Sequence, residues 1–168
     1  MSDLRLQATR TFSAESPSRS LVAELLDEAR WCGSARNRQP WQLFVVTAPD
    51  MRSALASHAP YGAHLANAPV VVVVGLDHHR GGADTELDGG RLVQTLLRSC
   101  ADRGLGSCPV TFFPATAEQA VQRIVGAPDT VSTRTAVAIG WPGDPPPGVP
   151  AIPVGRRPPE QVIRWLSG

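Results

Sequence analysis

Long apolar runs are missing from this 168-residue chain. Its most hydrophobic stretch, Val70–Leu76, is broken by Asp77, well short of the roughly twenty residues a membrane-spanning helix needs. A surplus of either charge is missing too. Sixteen basic against fifteen acidic residues leave a formal +1, which gives no electrostatic drive toward nucleic acid or an anionic membrane surface. Cysteine is scarce: Cys32, Cys100 and Cys108 are odd in number and form no C-x-x-C pair, which argues against a disulfide framework and against zinc. The first residues show no basic-then-apolar leader pattern, so a cytoplasmic protein with reduced thiols is the expectation. There is no internal repeat and no G-x-G-x-x-G nicotinamide fingerprint.

What is present is a globular composition, 42% hydrophobic and 18% charged, long enough to bury a core. It reads as one domain over 1–168, with an N-terminal arm at 1–17 and a proline-rich C-terminal arm with a short helix at 144–168. Apolar Leu21, Leu25, Leu26 and Ala29 recur at helical spacing after Ser18, and the helix stops at Trp31-Cys32-Gly33. Trp41–Val46 reads as a strand, Met51–His58 as a helix, and Val70–Val74 as a strand covered on both faces. A long helix is predicted over Asp88–Asp102, ending at Arg103-Gly104. Thr116-Ala-Glu-Gln119 reads as a capping box opening a helix that Gly126 closes. Thr135–Ile139 is a further buried strand, and a last helix is expected over Glu160–Leu166. Helices interleaved with strands around one apolar sheet place the chain in the α+β or α/β class.

Chemistry concentrates in Ser34-Ala-Arg-Asn-Arg-Gln-Pro-Trp41, a polar loop between an amphipathic helix and a buried strand. Asn37 and Gln39 carry the donors and acceptors that read the edge of a flat heterocycle, and Arg36 and Arg38 suit a phosphate. On spacing alone the favoured reading is a connection whose amides satisfy its own backbone. Asp77-His78-His79, with Asp84, Glu86 and Asp88, has no spacing that fixes these groups on one face. A solvated loop, mobile through Gly81 and Gly82, is expected there rather than a metal site. His64 is expected at the surface, Cys108 as a buried inert thiol, and the four tryptophans mostly in packing, with Trp41 bracing the polar loop.

Taken in order along the chain, these segments resemble the nitroreductase family of FMN enzymes. The signature runs Ala29-Arg-Trp-Cys-Gly-Ser34-Ala-Arg-Asn37-Arg-Gln39-Pro40-Trp41 into a strand ending Val45-Val46-Thr47. It continues with Ala68-Pro69 before the valine strand, and with Asp88-Gly89-Gly90, Gln94 and Leu96-Leu97 leading to Gly104-Leu105-Gly106-Ser107-Cys108. Gly140-Trp-Pro-Gly143 and Arg156-Arg157-Pro158 complete it. The resemblance implies a three-layer α/β/α fold with a central, mixed but largely antiparallel sheet in an intertwined homodimer. It implies FMN as cofactor and NAD(P)H as electron donor. Ser34, Ala35, Asn37, Gln39 and Pro40 would approach the flavin from the neighbouring subunit. Arg10 would lie near the ribityl chain and pyrimidine end, Arg156 and Arg157 at the phosphate, and Gly104, Leu105, Gly106 and Ser107 beside the ring. No protein acid, base or nucleophile is implied, since the flavin carries the hydride.

Two departures stand out. Leu6-Gln7-Ala8 replaces the family's Arg-x-Ser or Arg-Arg-Ser triplet, removing a phosphate ligand and a hydroxyl, although Arg5 is adjacent. The link from Leu76 to Leu87 is too short for the insertion that often roofs the substrate site, which implies an open or partner-built pocket. The implied activity is two-electron transfer to a small molecule. It covers NAD(P)H-driven reduction of nitroaromatic or quinone-like compounds, or oxidation of a small peptide or natural-product scaffold. The alternatives are a flavin-sequestering protein without catalysis and a deazaflavin-dependent reductase on the same fold.

Overall fold

The structure, a computed structural model, describes residues 6–144 and 155–166; Arg5 and most of the proline-rich stretch lie outside the described residues. Four strands form one sheet in the order β1-β2-β4-β3: β1 is Trp41–Val46, β2 Val70–Asp77, β3 Gly106–Thr111 and β4 Val131–Gly140. Every strand pair is antiparallel. Among the described residues the parallel component is one bridge, from Ala8 of the N-terminal arm to Ser107.

Helices cover both faces, giving three layers. On one face lie α1 (Arg19–Arg30) and α4 (Thr85–Asp102); on the other lie α2 (Pro49–Ser57) and α5 (Ala115–Val125). The valine run of β2 explains why both layers are needed. Its side chains alternate, so Val70, Val72 and Val74 join Leu25, Leu92 and Leu96 on the first face, while Val71 and Val73 join Leu55, Phe112 and Val121 on the second. A strand apolar on both sides has to be central, and β2 is.

Local chemistry sets the helix limits. The Ser18 hydroxyl accepts the Leu21 N–H at 3.2 Å and caps α1. At the far end of that helix Glu28 accepts hydrogen bonds from Ser99 and Arg103 of the α4 end, which hold its carboxyl below the usual value. Within α4, Gly89 lies against Leu76, where an added Cβ would stand 2.6 Å from a Leu76 methyl. Its missing side chain lets the helix press onto the sheet.

Several expectations change. The segment after β2 is not a mobile loop: His78–Gly81 is a short helix, α3, capped by Asp77, and a 3-10 turn at Gly82–Asp84 runs into α4. The last helix, α6, is only Pro159–Val162. Pro114, not Thr116, caps α5, without a side-chain bond. Glu118, in the first turn of α5, reaches β4, accepting from Ser132 Oγ at 2.6 Å and from the Thr133 N–H at 3.2 Å. β3 was not expected at all. Trp31 and Trp165 are 75% and 91% exposed, so neither packs in the core.

Candidate active site

The loop between α1 and β1 is an unusual piece of backbone. Arg36, Asn37 and Gln39 have φ of 51°, 55° and 48°, in the left-handed region that side chains with a Cβ seldom enter. Such residues persist only where surrounding contacts over-determine them. Here the contacts are on both sides. Within the loop, Ser34 Oγ accepts the Gln39 N–H at 2.9 Å, and the Gln39 amide donates to Asn37 Oδ1 at 3.0 Å. From outside, the Asp88 carboxylate accepts the Ala35 N–H at 2.9 Å, Arg38 donates to the Gly81 carbonyl at 2.7 Å, and Arg80 donates to the Arg38 carbonyl at 2.6 Å. Pro40 is buried and its carbonyl accepts the Asp77 N–H.

The loop thus presents Asn37, Gln39 and Arg36 outward, while Arg38 is spent on the loop's own anchorage rather than left for a phosphate. An open groove of about 580 Å³ adjoins it, lined by Cys32, Gly33, Leu87, Gly90, Arg91 and Gln94 among others. Burial raises the Cys32 thiol, with Arg91 opposing that effect, so it stays a thiol at neutral pH.

A second group of predicted residues gathers elsewhere. The N-terminal arm runs along the start of β3: Thr9 N–H donates to the Ser107 carbonyl at 2.9 Å, and the arm then pairs through Phe12 with Pro142. This places exposed Arg10 beside Gly106 and Ser107, both buried. Gly104, at φ 73°, turns the chain out of α4, and buried Leu105 packs under α1 and α4. His64 also sits at this end and is only 9% exposed, a correction to its expected surface position. Its Nε2 and the Trp141 Nε1 are buried without hydrogen-bond partners. Burial, with the Arg10 charge second, lowers the His64 pKa. Burial raises the Cys108 thiol, which Arg10 only partly offsets, in keeping with an inert cysteine.

Register separates the two groups. Trp41 faces Leu76, whereas Gly106 faces Gly140 and Ile139 faces Val70. The Ser34 loop and the Arg10 arm therefore stand at opposite ends of β2, about 20 Å apart at the usual rise per residue. Arg156 and Arg157 join neither group. Both are exposed, and Arg156 donates only to its neighbour Gly155 at 2.8 Å among the described hydrogen bonds. After β2, Asp77 caps α3 and His78 contacts Glu86 at 3.1 Å, while Asp88 reaches back to the Ser34 loop. No group of three or more possible metal ligands occurs among the described residues.

Comparison with known proteins gives a consistent set of relatives. The Nitroreductase family profile matches residues 7–141. A Thermus thermophilus protein named NADH dehydrogenase is 26% identical, covering 96% of this chain and 93% of its own. A Parabacteroides distasonis structure, provisionally named NADH dehydrogenase/NAD(P)H nitroreductase, superposes with a TM-score of 0.85 at 20% identity, over 96% of this chain and 94% of that one. A Desulfovibrio desulfuricans protein solved in complex with FMN, provisionally named a nitroreductase, gives 0.79 at 23% identity, over 94% and 90%.

Proposed function

The chain belongs to the nitroreductase family, and on that footing we propose that it is an FMN-dependent oxidoreductase whose site is completed by a second copy of itself. The observation that carries this reading is the separation of the two groups. The Ser34 loop and the Arg10 arm are both built for ligand contact, yet they stand at opposite ends of one sheet. A twofold partner that sets the loop of one protomer against the arm of the other would unite them. Uncovered apolar side chains favour such a partner: Trp31 and Leu87 near the loop, and Ile163, Trp165 and Leu166 on the C-terminal arm.

The residues fit a flavin. Arg10 supplies a cation and His64 Nε2 and Trp141 Nε1 supply unpartnered polar atoms at one end. The exposed amides of Asn37 and Gln39 supply donors and acceptors at the other. FMN, when bound, supplies two-electron hydride chemistry, with NAD(P)H as donor and a nitroaromatic or quinone-like compound as acceptor. Arg10 would set a positive charge against the pyrimidine edge of a bound flavin, and the loop amides would orient the ring. Arg156 and Arg157, both exposed, would serve the phosphate of the partner's cofactor. Leu6-Gln7-Ala8 adds no charge there, so those two arginines carry most of the phosphate hold.

The test is spectroscopic. Purified protein is expected to be yellow, to release FMN on denaturation, and to bleach under NADH or NADPH until a quinone or nitroaromatic is added. Colourless protein without affinity for FMN overturns the reading. Yellow protein inert to both nicotinamides and to acceptors points to sequestration, and preferential retention of a deazaflavin points to that cofactor instead.

A further inference from the structure

Asp88 is a carboxylate only 1% exposed, in the first turn of α4. A negative charge suits that end of a helix, but the helix does not require the side chain to be buried. Burial of a charge is costly unless hydrogen bonds compensate it. The compensation here comes from 53 residues away: Oδ2 accepts the Ala35 N–H at 2.9 Å. Oδ1 has no hydrogen bond, and its nearest cation is the Arg91 guanidinium at 3.7 Å. Arg91 in turn lies over Gly33, where an added Cβ would stand 2.6 Å from Nη2.

The bonds holding the loop from outside are unevenly distributed. Its second half is tied to the β2–α3 region through Arg38 and Pro40. Its first half, from Gly33 to Asn37, has one external hydrogen bond among the described residues, the one to Asp88. That half leads directly into the left-handed pair Arg36-Asn37. Left-handed non-glycine residues are strained and relax when their constraints go.

We infer that Asp88 is a positioning residue for the flavin loop: its buried carboxylate clamps Ala35 and thereby holds Asn37 in the strained conformation that meets the cofactor. This rests on the FMN reading above and extends it to a residue that touches no ligand. The clamp is a hydrogen bond, so asparagine at 88, which keeps an acceptor, should preserve it, and alanine should not. Ala35→Pro removes the same donor from the other side. Proline is tolerated in the first turn of a helical segment, and Ser34, at φ −132° and ψ 155°, already has the extended conformation favoured before proline.

The experiment measures amide hydrogen exchange at Ala35 in the intact protein, with the Val72 amide as internal reference, and the FMN dissociation constant by fluorescence titration. In D88A, Ala35 exchange should rise, and FMN affinity fall, each by about tenfold, with Val72 unchanged. D88N should stay within about threefold of the parent on both, and A35P should match the affinity loss of D88A. Parent-like Ala35 exchange in D88A overturns the inference. So does a D88N defect equal to that of D88A, and so does parent-like FMN affinity in A35P, which decides the matter if D88A fails to fold. A parent protein that binds no FMN removes the flavin reading alone, because the exchange measurement still reports on the clamp.

Discussion

Gly106 gives its side-chain space to Thr9. A Cβ built on Gly106 would stand 2.5 Å from Thr9 Cγ2 and 2.6 Å from Thr9 Cβ, too close for either to remain. The contact draws the N-terminal arm onto β3, where Thr9 bonds the Ser107 carbonyl, and so it fixes where Arg10 emerges. Gly106→Ala should therefore displace the arm and destabilise the fold by about 1–3 kcal/mol, as overpacking does. Thermal unfolding and exchange of the Thr9 amide check this. A Thr9 amide as protected as in the parent would contradict it.

Arg10 should matter to the cofactor more than to the fold, because its side chain is exposed. Arg10→Ala is expected to weaken FMN retention and to make the bound flavin harder to reduce, since a cation no longer balances the added negative charge. One lost opposite charge at a partly solvated site is worth on the order of 1 kcal/mol. A redox titration reads the shift directly, and an unchanged potential with full FMN retention would remove Arg10 from the site.

His64 gives the fold a pH dependence. Burial, reinforced by the charge of Arg10, lowers its pKa below the ordinary 6.5; the Cys108 thiol, which also senses Arg10, is raised by burial and stays neutral. The unfolded chain therefore takes up a proton first as the pH drops below 6.5. Stability is full above that value and is lost on acidification through the folded pKa. Glu28, lowered by Arg103 and Ser99, adds its own loss only below 4.5, so it does not contribute just below pH 6.5. His64→Gln should flatten the fall in Tm just below pH 6.5, with unfolding followed by circular dichroism across pH. A slope identical to the parent's would show that His64 is not the group responsible.

How much of this was legible in the sequence depends on how local each signal was. β1 was readable residue for residue, and the centre of β2 was clear because a β-branched run has few other uses. β3 was not, since Gly106 and Pro109 are residues that strands avoid. Pro109 is tolerated because β3 is an edge strand, where a missing N–H costs no ladder bond. The signal available was the alternation of buried Cys108, Val110 and Phe112 with exposed Pro109, Thr111 and Phe113. The Ser34 loop was identifiable by composition, but its left-handed backbone was not, nor was the use of Arg38 to anchor it. Asp88 was visible as a helix start, as one of the acids after β2 and in the Asp88-Gly89-Gly90 segment, but not as a clamp. Its function depends on a contact across 53 residues that no local pattern announces.

The opposite-ends arrangement of Arg10 and Asn37 can be tested without knowing the substrate. If each flavin lies between the arm of one protomer and the loop of the other, Arg10→Ala and Asn37→Ala homodimers each carry a defect in both sites. A heterodimer of the two, isolated by different affinity tags after co-expression, places both substitutions in one site and leaves the other intact. Such a heterodimer should recover about half of the parent's bound FMN and turnover, as twofold symmetry dictates. If instead each protomer held a complete site, every site in the heterodimer would carry one substitution, and no recovery would follow. The same preparation run on a sizing column reports whether a dimer forms. A monomer that retains FMN would show that the separation of the two groups is bridged in some other way, and would end the shared-site reading.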